Sequence, residues 1–463
     1  MAQSDRSWTI APTLLWFCGC LVAGLLYFDG DVQAIADRVT TKRDEAPAGG
    51  PIVAGKPAGG DSQAKPDDDE KPAPLPEADR GDRSRVGALE DVCLDGTPDQ
   101  CKRWSMDGFY RAVAESKQDK LGRAVRVSWY GDSVIATDAI PARLRERMQK
   151  ELGDGGPGFV YIDPPHRFCA HQGVTRTKEG EWRTHAISTQ PTADGLYGVG
   201  GSSTETHSGS ATVKLVGGRK ATNVELYYVA QPKGGTATVT ADGTEIVKAE
   251  TAADAKVAGH ATGTSPGARK FQITTKGKVR LYGIDIENAS GAVVDNFGIV
   301  SVHAKNFAAR NLDDFTADLG HRSADLMLVM IGANEAQWLS PSERAMKEYQ
   351  RHFEKAIAPL RKGRPDGACL VVSPLDQAEA KDAGYVSRPV MPRLVEAQRR
   401  AAKAVGCAFF STYDWMGGKG SAAKWFKKNL VSTDFQHLST AGAKKLSDGV
   451  FETLMQGYQR YGE

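Results

Sequence analysis

The chain has 463 residues, 40% of them apolar and 25% charged, and a formal net charge of +2. That length suits about two domains with tails. The near-balanced charge, with no stripe of Lys and Arg interleaved with aromatics, excludes a nucleic-acid partner.

From the N-terminus, Ile10–Phe28 (IAPTLLWFCGCLVAGLLYF) carries no charge, and as a helix it would span about 28 Å, enough for a bilayer core. Arg6 precedes it and Asp29 and Asp31 follow, which favours an inside N-terminus. The expectation is a signal anchor over residues 1–30 that holds the protein in the inner membrane through residues 10–28, with the rest outside. A cleaved signal peptide is the rival, against which stand the short charged region and the long apolar run. Residues 31–87 are rich in Pro, Gly, Ala, Asp and Lys and read as a disordered linker, since nothing there can bury a core. Cys93 and Cys101 flank the turn Gly96-Thr97-Pro98. In an exported chain they read as a local disulfide, with two free thiols as the alternative.

Val125–Tyr130 alternates like a short strand, and Val134–Leu152 has helical spacing. Between them lies Gly131-Asp132-Ser133, at a strand's carboxyl end entering a helix, where open α/β sheets bind ligands. The same triplet at Gly60-Asp61-Ser62 falls in the linker and lacks any scaffold. Further on, Asp325–Ile331, Ala368–Ser373 and Cys407–Ser411 read as buried parallel strands, with helices at Pro341–Lys362, Arg393–Val405 and Thr440–Gln456. Cys369 and Cys407 fall in these apolar runs and read as core. The intervening stretch differs. Short Val- and Thr-rich runs at Thr212–Val216, Asn223–Ala230, Thr236–Ala241, Lys270–Thr275 and Val279–Glu287 suggest a sandwich or jelly roll, after an irregular loop region over Gly153–Ser203.

The fold expected is therefore a doubly wound, flavodoxin-like parallel α/β sheet with an inserted β-sandwich or jelly-roll module. Its first part is residues 88–205, the insert 206–290, and its second part 291–463.

Asp-x-x-His occurs three times, at Asp163/His166, Asp318/His321 and Asp434/His437. Only the third follows the last strand and opens the final helix, level with Ser133 at the sheet's carboxyl edge. Gly263-Thr264-Ser265-Pro266-Gly267 matches the G-x-S-x-G elbow, but Pro266 has no N–H to donate to an oxyanion, so Ser265 is rejected. Gly332-Ala333-Asn334-Glu335 ends a strand; Asn334 can aim an amide into a pocket or can be a plain turn residue.

This set resembles the SGNH (GDSL-type) hydrolases: Gly-Asp-Ser after the first strand, Gly-x-Asn after a middle strand and Asp-x-x-His near the C-terminus. Val293–Val302 (VVDNFGIVSV) matches the family's glycine-bearing second block, with Gly298 at its first glycine and Ser301 where the oxyanion-hole glycine stands. Glu335 replaces the family's usual Asp. Tyr413–Trp425 followed by Asp434–Gly442 resembles the bacterial peptidoglycan O-acetylesterases within that family, which carry a carbohydrate-binding-module-like insert. The resemblance implies a Ser133–His437–Asp434 triad and an oxyanion hole from the N–H groups of Ser133 and of Gly298 or Ser301, with the Asn334 amide. It needs no cofactor and no metal. The function expected is a periplasmic serine esterase that removes O-acetyl groups from a cell-envelope glycan. The alternatives are an O-acetyltransferase with the same triad and a catalytically silent glycan-binding protein.

Overall fold

Five apolar runs become parallel strands: β1 (Val125–Gly131), β2 (Ala292–Gly298), β3 (Leu326–Met330), β4 (Ala368–Val372) and β5 (Ala408–Phe410). The structure, a computed structural model, describes residues 83–381 and 384–461. The expected anchor at residues 10–28 and the Gly60-Asp61-Ser62 triplet lie outside these described residues. Among them, no helix is long and apolar enough to cross a membrane.

The strands lie in the order β5-β4-β3-β1-β2; a short antiparallel strand, Leu89–Glu90, pairs with β5, and Arg85–Val86 pairs with it at the sheet's edge, so the folded body begins before residue 88, inside the stretch read as linker. Alternate side chains serve opposite faces, as the two-residue period of a strand demands. Val127, Trp129, Leu328 and Leu370 enter one core, and Tyr130, Val329, Cys369 and Val371 the other. On the first face pack helices α1 (Ala139–Leu152) and α5 (Thr440–Tyr461); on the second pack α2 (Leu312–Arg322), α3 (Glu343–Gly363) and α4 (Met391–Val405). Both faces are covered, so the strands read as unbroken apolar runs. The chain winds outward from β1 in both directions, and the point of reversal lies between β1 and β3.

Between β1 and β2 the chain makes a long antiparallel excursion. Its axis is the strand Lys270–Glu287, which pairs on one side with Ser202–Leu215 and Gly158–Val160 and on the other with Thr236–Ala241 and Ala221–Ala230. The doubly wound layer with an inserted β-rich module is thus the observed architecture. One expectation needs correction. The antiparallel sheet starts at Gly158 rather than near Thr206, because Gly158–Val160, Val174–Gly180 and Arg183–Ala186 join it from the stretch read as loop. Val174–Gly180 is mostly exposed and charged. Its strand state comes from pairing with Ser202–Leu215, and no apolar alternation announces it.

Cys93 and Cys101 form a disulfide, and so do Cys369 and Cys407. The second pair joins the edges of β4 and β5 within the core. Strand adjacency, which the local sequence does not express, brings them together.

A buried ionic node fastens the inserted sheet to the parallel layer. The Arg322 guanidinium, at the end of α2, donates to Asp285 and Glu287 of the long antiparallel strand and to Asp295 of β2. Arg126 of β1 adds a two-pronged bond to Glu287. Ser128 Oγ and the Phe159 N–H both donate to Asp295. Two guanidinium groups thus face three carboxyls. Burial, with Glu287 and Asp295 adding negative charge beside it, pushes the Asp285 carboxyl well above the usual range despite Arg322. Removing one partner of a buried ion pair typically costs about 3–5 kcal/mol, because the charges left behind stay desolvated. Arg322→Ala is therefore expected to lower the unfolding free energy by about that amount in equilibrium urea titration; a loss below about 1 kcal/mol would show that the node is not a clamp.

Candidate active site

The carboxyl ends of β1, β2 and β3 are level, with Gly131 opposite both Gly298 and Met330. The chain leaves β1 through a sharp elbow. Asp132 caps a single helical turn, Ser133–Ala136, by accepting from the Val134 N–H at 3.0 Å. Two glycines make room for that turn: a Cβ on Gly131 would lie 2.2 Å from the Ile135 side chain, and one on Gly298 would lie 2.2 Å from the Ala136 nitrogen. The helical spacing read across Val134–Leu152 is broken at Asp138, which takes a left-handed conformation before α1 begins. The break leaves Ser133 at the head of its own short turn.

The loop before α5 comes to the same place. Ser133 Oγ lies 2.7 Å from His437 Nε2, and His437 Nδ1 lies 2.6 Å from Asp434 Oδ2. A carboxylate accepts only, so Nδ1 carries the ring proton and Nε2 is left to accept from the serine hydroxyl. The other oxygen of Asp434 accepts from the N–H groups of Gln436 and His437 at 2.9 and 3.0 Å. The loop is closed by the Ser432 N–H on the His437 carbonyl. At its tip Phe435 has φ +54°, a conformation that costs a non-glycine residue about 1–2 kcal/mol. Its ring is buried against Phe426 and Tyr385, with centroids at 4.7 and 4.2 Å, and this packing holds the turn.

Charge follows geometry. The hydrogen bond that His437 donates to Asp434 raises the His437 pKa above the ordinary imidazole value, against the effect of partial burial. Burial would raise Asp434, but the His437 ring and the two backbone N–H groups outweigh it and bring the carboxyl down to about 2. Beneath them Asp132 is buried, and burial pushes its carboxyl up to about 6.

A second wall follows β2. The Ile299 N–H donates to the Gly131 carbonyl at 2.9 Å, which pins this loop to the elbow. Of the two oxyanion candidates on it, Gly298 is ruled out, because its N–H donates to Asn296 Oδ1 at 3.0 Å. Ser301 takes a left-handed φ of +63°, and its N–H, like that of Ser133, has no hydrogen-bond partner among the described residues. Asn334 Nδ2 donates one proton to the Val302 carbonyl at 2.8 Å, which orients the amide and leaves its second N–H free to donate. Glu335, buried next to it, accepts from the Ala304 N–H at 2.8 Å. This bond ties the Asn334 turn to the loop after β2. Asn296 thus shapes the site without being evident in the sequence, where an Asn two residues before a glycine at a strand end was the available signal; Glu335, noted in the sequence as a departure from the family's Asp, takes a bracing role.

The other candidates lie apart from this cluster. Asp163 pairs with Lys178 and Thr184, while His166 accepts from the Phe168 N–H. His321 bonds Glu225 and stacks on His260, whose ring faces Asp318. Ser265 lies in the inserted sheet with its hydroxyl on the Ala221 carbonyl.

The GDSL-like lipase/acylhydrolase family matches residues 274–445. This span contains Ser301, Asn334, Asp434 and His437 but not Ser133, which the inserted sheet separates from it. Over that span, and in the layout of its site, the chain resembles the SGNH hydrolases, which are serine-dependent carboxylic ester hydrolases by class. Within that class it resembles a solved peptidoglycan O-acetylesterase, to which it is 23% identical with a TM-score of 0.65 over 76% of this chain and 96% of the other. More distant are an acetylxylan esterase from Geobacillus stearothermophilus (19% identity, 35% of this chain and 73% of that one, TM-score 0.26) and a salicylyl-acyltransferase from a tetracycline biosynthetic pathway (12% identity, 63% and 95%, TM-score 0.28). No curated protein matches the chain in sequence.

The raised His437 value makes a sign-definite prediction. Asp434 stabilises the imidazolium, so the ring is expected to titrate above the ordinary value of about 6.5. Asp434→Asn should move that titration to lower pH. Ring NMR shifts followed against pH check both; an unmoved midpoint in the variant would assign the shift to another group.

Proposed function

We propose that the protein removes O-acetyl groups from a cell-envelope glycan, peptidoglycan first among the candidates, by serine catalysis at Ser133. The observation that carries this reading is the chain of short contacts from Ser133 Oγ through His437 to Asp434, on the fold of a peptidoglycan O-acetylesterase. His437 takes the Ser133 proton as Oγ bonds to the acetyl carbon, and the carbonyl electron pair moves onto oxygen. The oxyanion receives hydrogen bonds from the N–H groups of Ser133 and Ser301 and from the free amide proton of Asn334. One such donor is worth about 3 kcal/mol in the transition state. The intermediate collapses, the C–O bond to the sugar breaks, and His437 returns the proton to the leaving sugar oxygen. Water, deprotonated by the same imidazole, then releases acetate and restores the serine. Asp434 holds the ring in the required tautomer and stabilises its charged form.

The place of action proposed is outside the cytoplasmic membrane, where such a glycan lies. Residues 1–30 would form the anchor and residues 31 to about 82 the spacer, leaving the folded body, which already includes the strand Arg85–Val86, free to reach the wall. The two disulfides support an oxidising compartment.

Acetate release from O-acetylated peptidoglycan tests the reading. Ser133→Ala and His437→Ala are each expected to lose several orders of magnitude in turnover, as members of one relay do. His166→Ala and His321→Ala should stay near wild type. Full activity in folded Ser133→Ala protein would sink the proposal.

Asn334→Asp offers a finer test, since it replaces a donor by an acceptor that is negative at neutral pH. Its kcat is expected to fall by about 10²-fold or more with little change in KM. A kcat within a few-fold of wild type would leave only backbone donors in the hole.

A further inference from the structure

Beside the Asn334 turn lies a cavity of about 210 Å³, and its lining includes His303, Lys305, Glu335, Trp338, Glu348 and His352. It is smaller than the roughly 300–1,000 Å³ typical of drug-sized ligands, and suits a single sugar ring. Two of its walls continue the candidate oxyanion loops. His303 follows Val302, whose carbonyl holds Asn334, and Glu335 follows Asn334 itself.

Trp338 is 57% exposed although large and apolar, with its ring edge-on to His303 at 6.2 Å. An exposed indole at a cavity mouth offers a flat apolar face with a polar edge, the shape that matches the C–H side of a pyranose. Glu335, also in the lining, is only 2% exposed, and its Oε2 has no hydrogen-bond partner among the described residues while Oε1 accepts from the Ala304 N–H. A buried carboxyl oxygen without a partner is costly and marks a place where a ligand or water completes the bonding. Burial pushes that carboxyl up to about 7, so near neutrality a large share of molecules present an O–H donor there.

The charge of the cavity selects among ligands. Lys305 pairs with Glu348 at 3.6 Å. Partial burial, with Lys305 beside them, lowers both His303 and His352 below the ordinary imidazole value. His303 Nδ1 accepts from the Asn306 N–H, so its neutral ring offers the Nε2–H donor, while neutral His352 offers one donor and one acceptor. The lining therefore carries little net charge and many hydrogen-bonding groups, which favours hydroxyl and amide groups over an anion.

We propose that this cavity is a sugar subsite, in which one uncharged pyranose ring of the glycan, next to the acetylated residue, stacks on Trp338 and hydrogen-bonds to His303, His352 and Glu335. The proposal rests on the esterase reading for its place in catalysis, though binding can be measured apart from turnover. No feature of the inserted sheet is needed for it.

The test has two arms. In the first, Ser133→Ala protein is titrated with tri-N-acetylchitotriose and followed by tryptophan fluorescence. A saturable change is expected, and Trp338→Ala in the same background should abolish it; the position is exposed, so the substitution carries little folding cost. Binding that persists unchanged without the indole would overturn the subsite, as would no binding at all in the parent. Tighter binding of tri-galacturonate, a uronate trimer, would overturn its preference for an uncharged ring. In the second arm, the ratio of kcat/KM for O-acetylated peptidoglycan to that for 4-nitrophenyl acetate is compared between wild type and Trp338→Ala. The ratio is expected to fall about tenfold or more, and Trp338→Phe to recover part of it; an unchanged ratio would overturn the proposal. If wild-type protein released acetate from neither substrate, the esterase reading would fail, and the chitotriose titration would still decide the subsite.

Discussion

The buried contact of Arg322 with Asp285, Glu287 and Asp295 joins three pieces of chain that sequence keeps far apart: the end of α2, the long strand of the inserted sheet and the strand β2. Arg126 brings in β1 as a fourth. A packed apolar interface tolerates small slips, whereas a guanidinium between fixed carboxylates has one good geometry. The register of β1 against β2 is held at the end remote from Ser133, so that Gly131 and Gly298 finish side by side. Everything at the site depends on that alignment. The serine elbow leaves from Gly131, and the loop carrying Ser301 leaves from Gly298.

An insertion of this size between the first two strands would ordinarily loosen them. Here the inserted sheet is tied back by charge and by packing. Phe159 from the insert packs against Phe297 of β2 with centroids at 5.1 Å, and Tyr130 of β1 stacks on Phe297 at 5.0 Å. His260 and His321 stack at 3.6 Å between the insert and α2. Ionic and aromatic contacts thus share one seam, and the catalytic layer keeps a continuous core beneath the insertion.

The chemistry read from the site depends on small differences between similar residues. Gly298 and Ser301 are equivalent in sequence as oxyanion donors, yet Asn296 occupies the Gly298 N–H and leaves that of Ser301 open. Glu335 stands where an Asp is usual in the family; in this chain the longer side chain reaches the Ala304 N–H and braces the loop, while its second oxygen is buried without a partner among the described residues. Phe435 accepts an unfavourable backbone at the tip of the turn in which Asp434 reaches Nδ1 of His437 while Nε2 of the same ring meets the serine.

Much of the fold was legible in the sequence because its signals are local. The strands β1, β3, β4 and β5 are apolar runs, and amphipathic helices alternate with them from β3 onward. The elbow at Gly131-Asp132-Ser133 has its glycine and its cap in adjacent positions, and Asp434 with His437 sits at a spacing that a single turn can close. Those features need only a few neighbouring residues to form. What the tertiary structure alone decided was every outcome that depends on a distant partner. The strands at Gly158–Val160, Val174–Gly180 and Arg183–Ala186 exist because a neighbouring strand supplies their hydrogen bonds. Cys369 meets Cys407 because β4 lies beside β5. Three Asp-x-x-His pairs are alike in letters, but only Asp434/His437 is delivered to Ser133, because the strand order 2-1-3-4-5 and the return of α5 bring the last loop over the end of the first strand. Local chemistry is written residue by residue; long-range contact is set by packing and by the entropy lost in closing hundreds of residues of chain, and no short stretch records it.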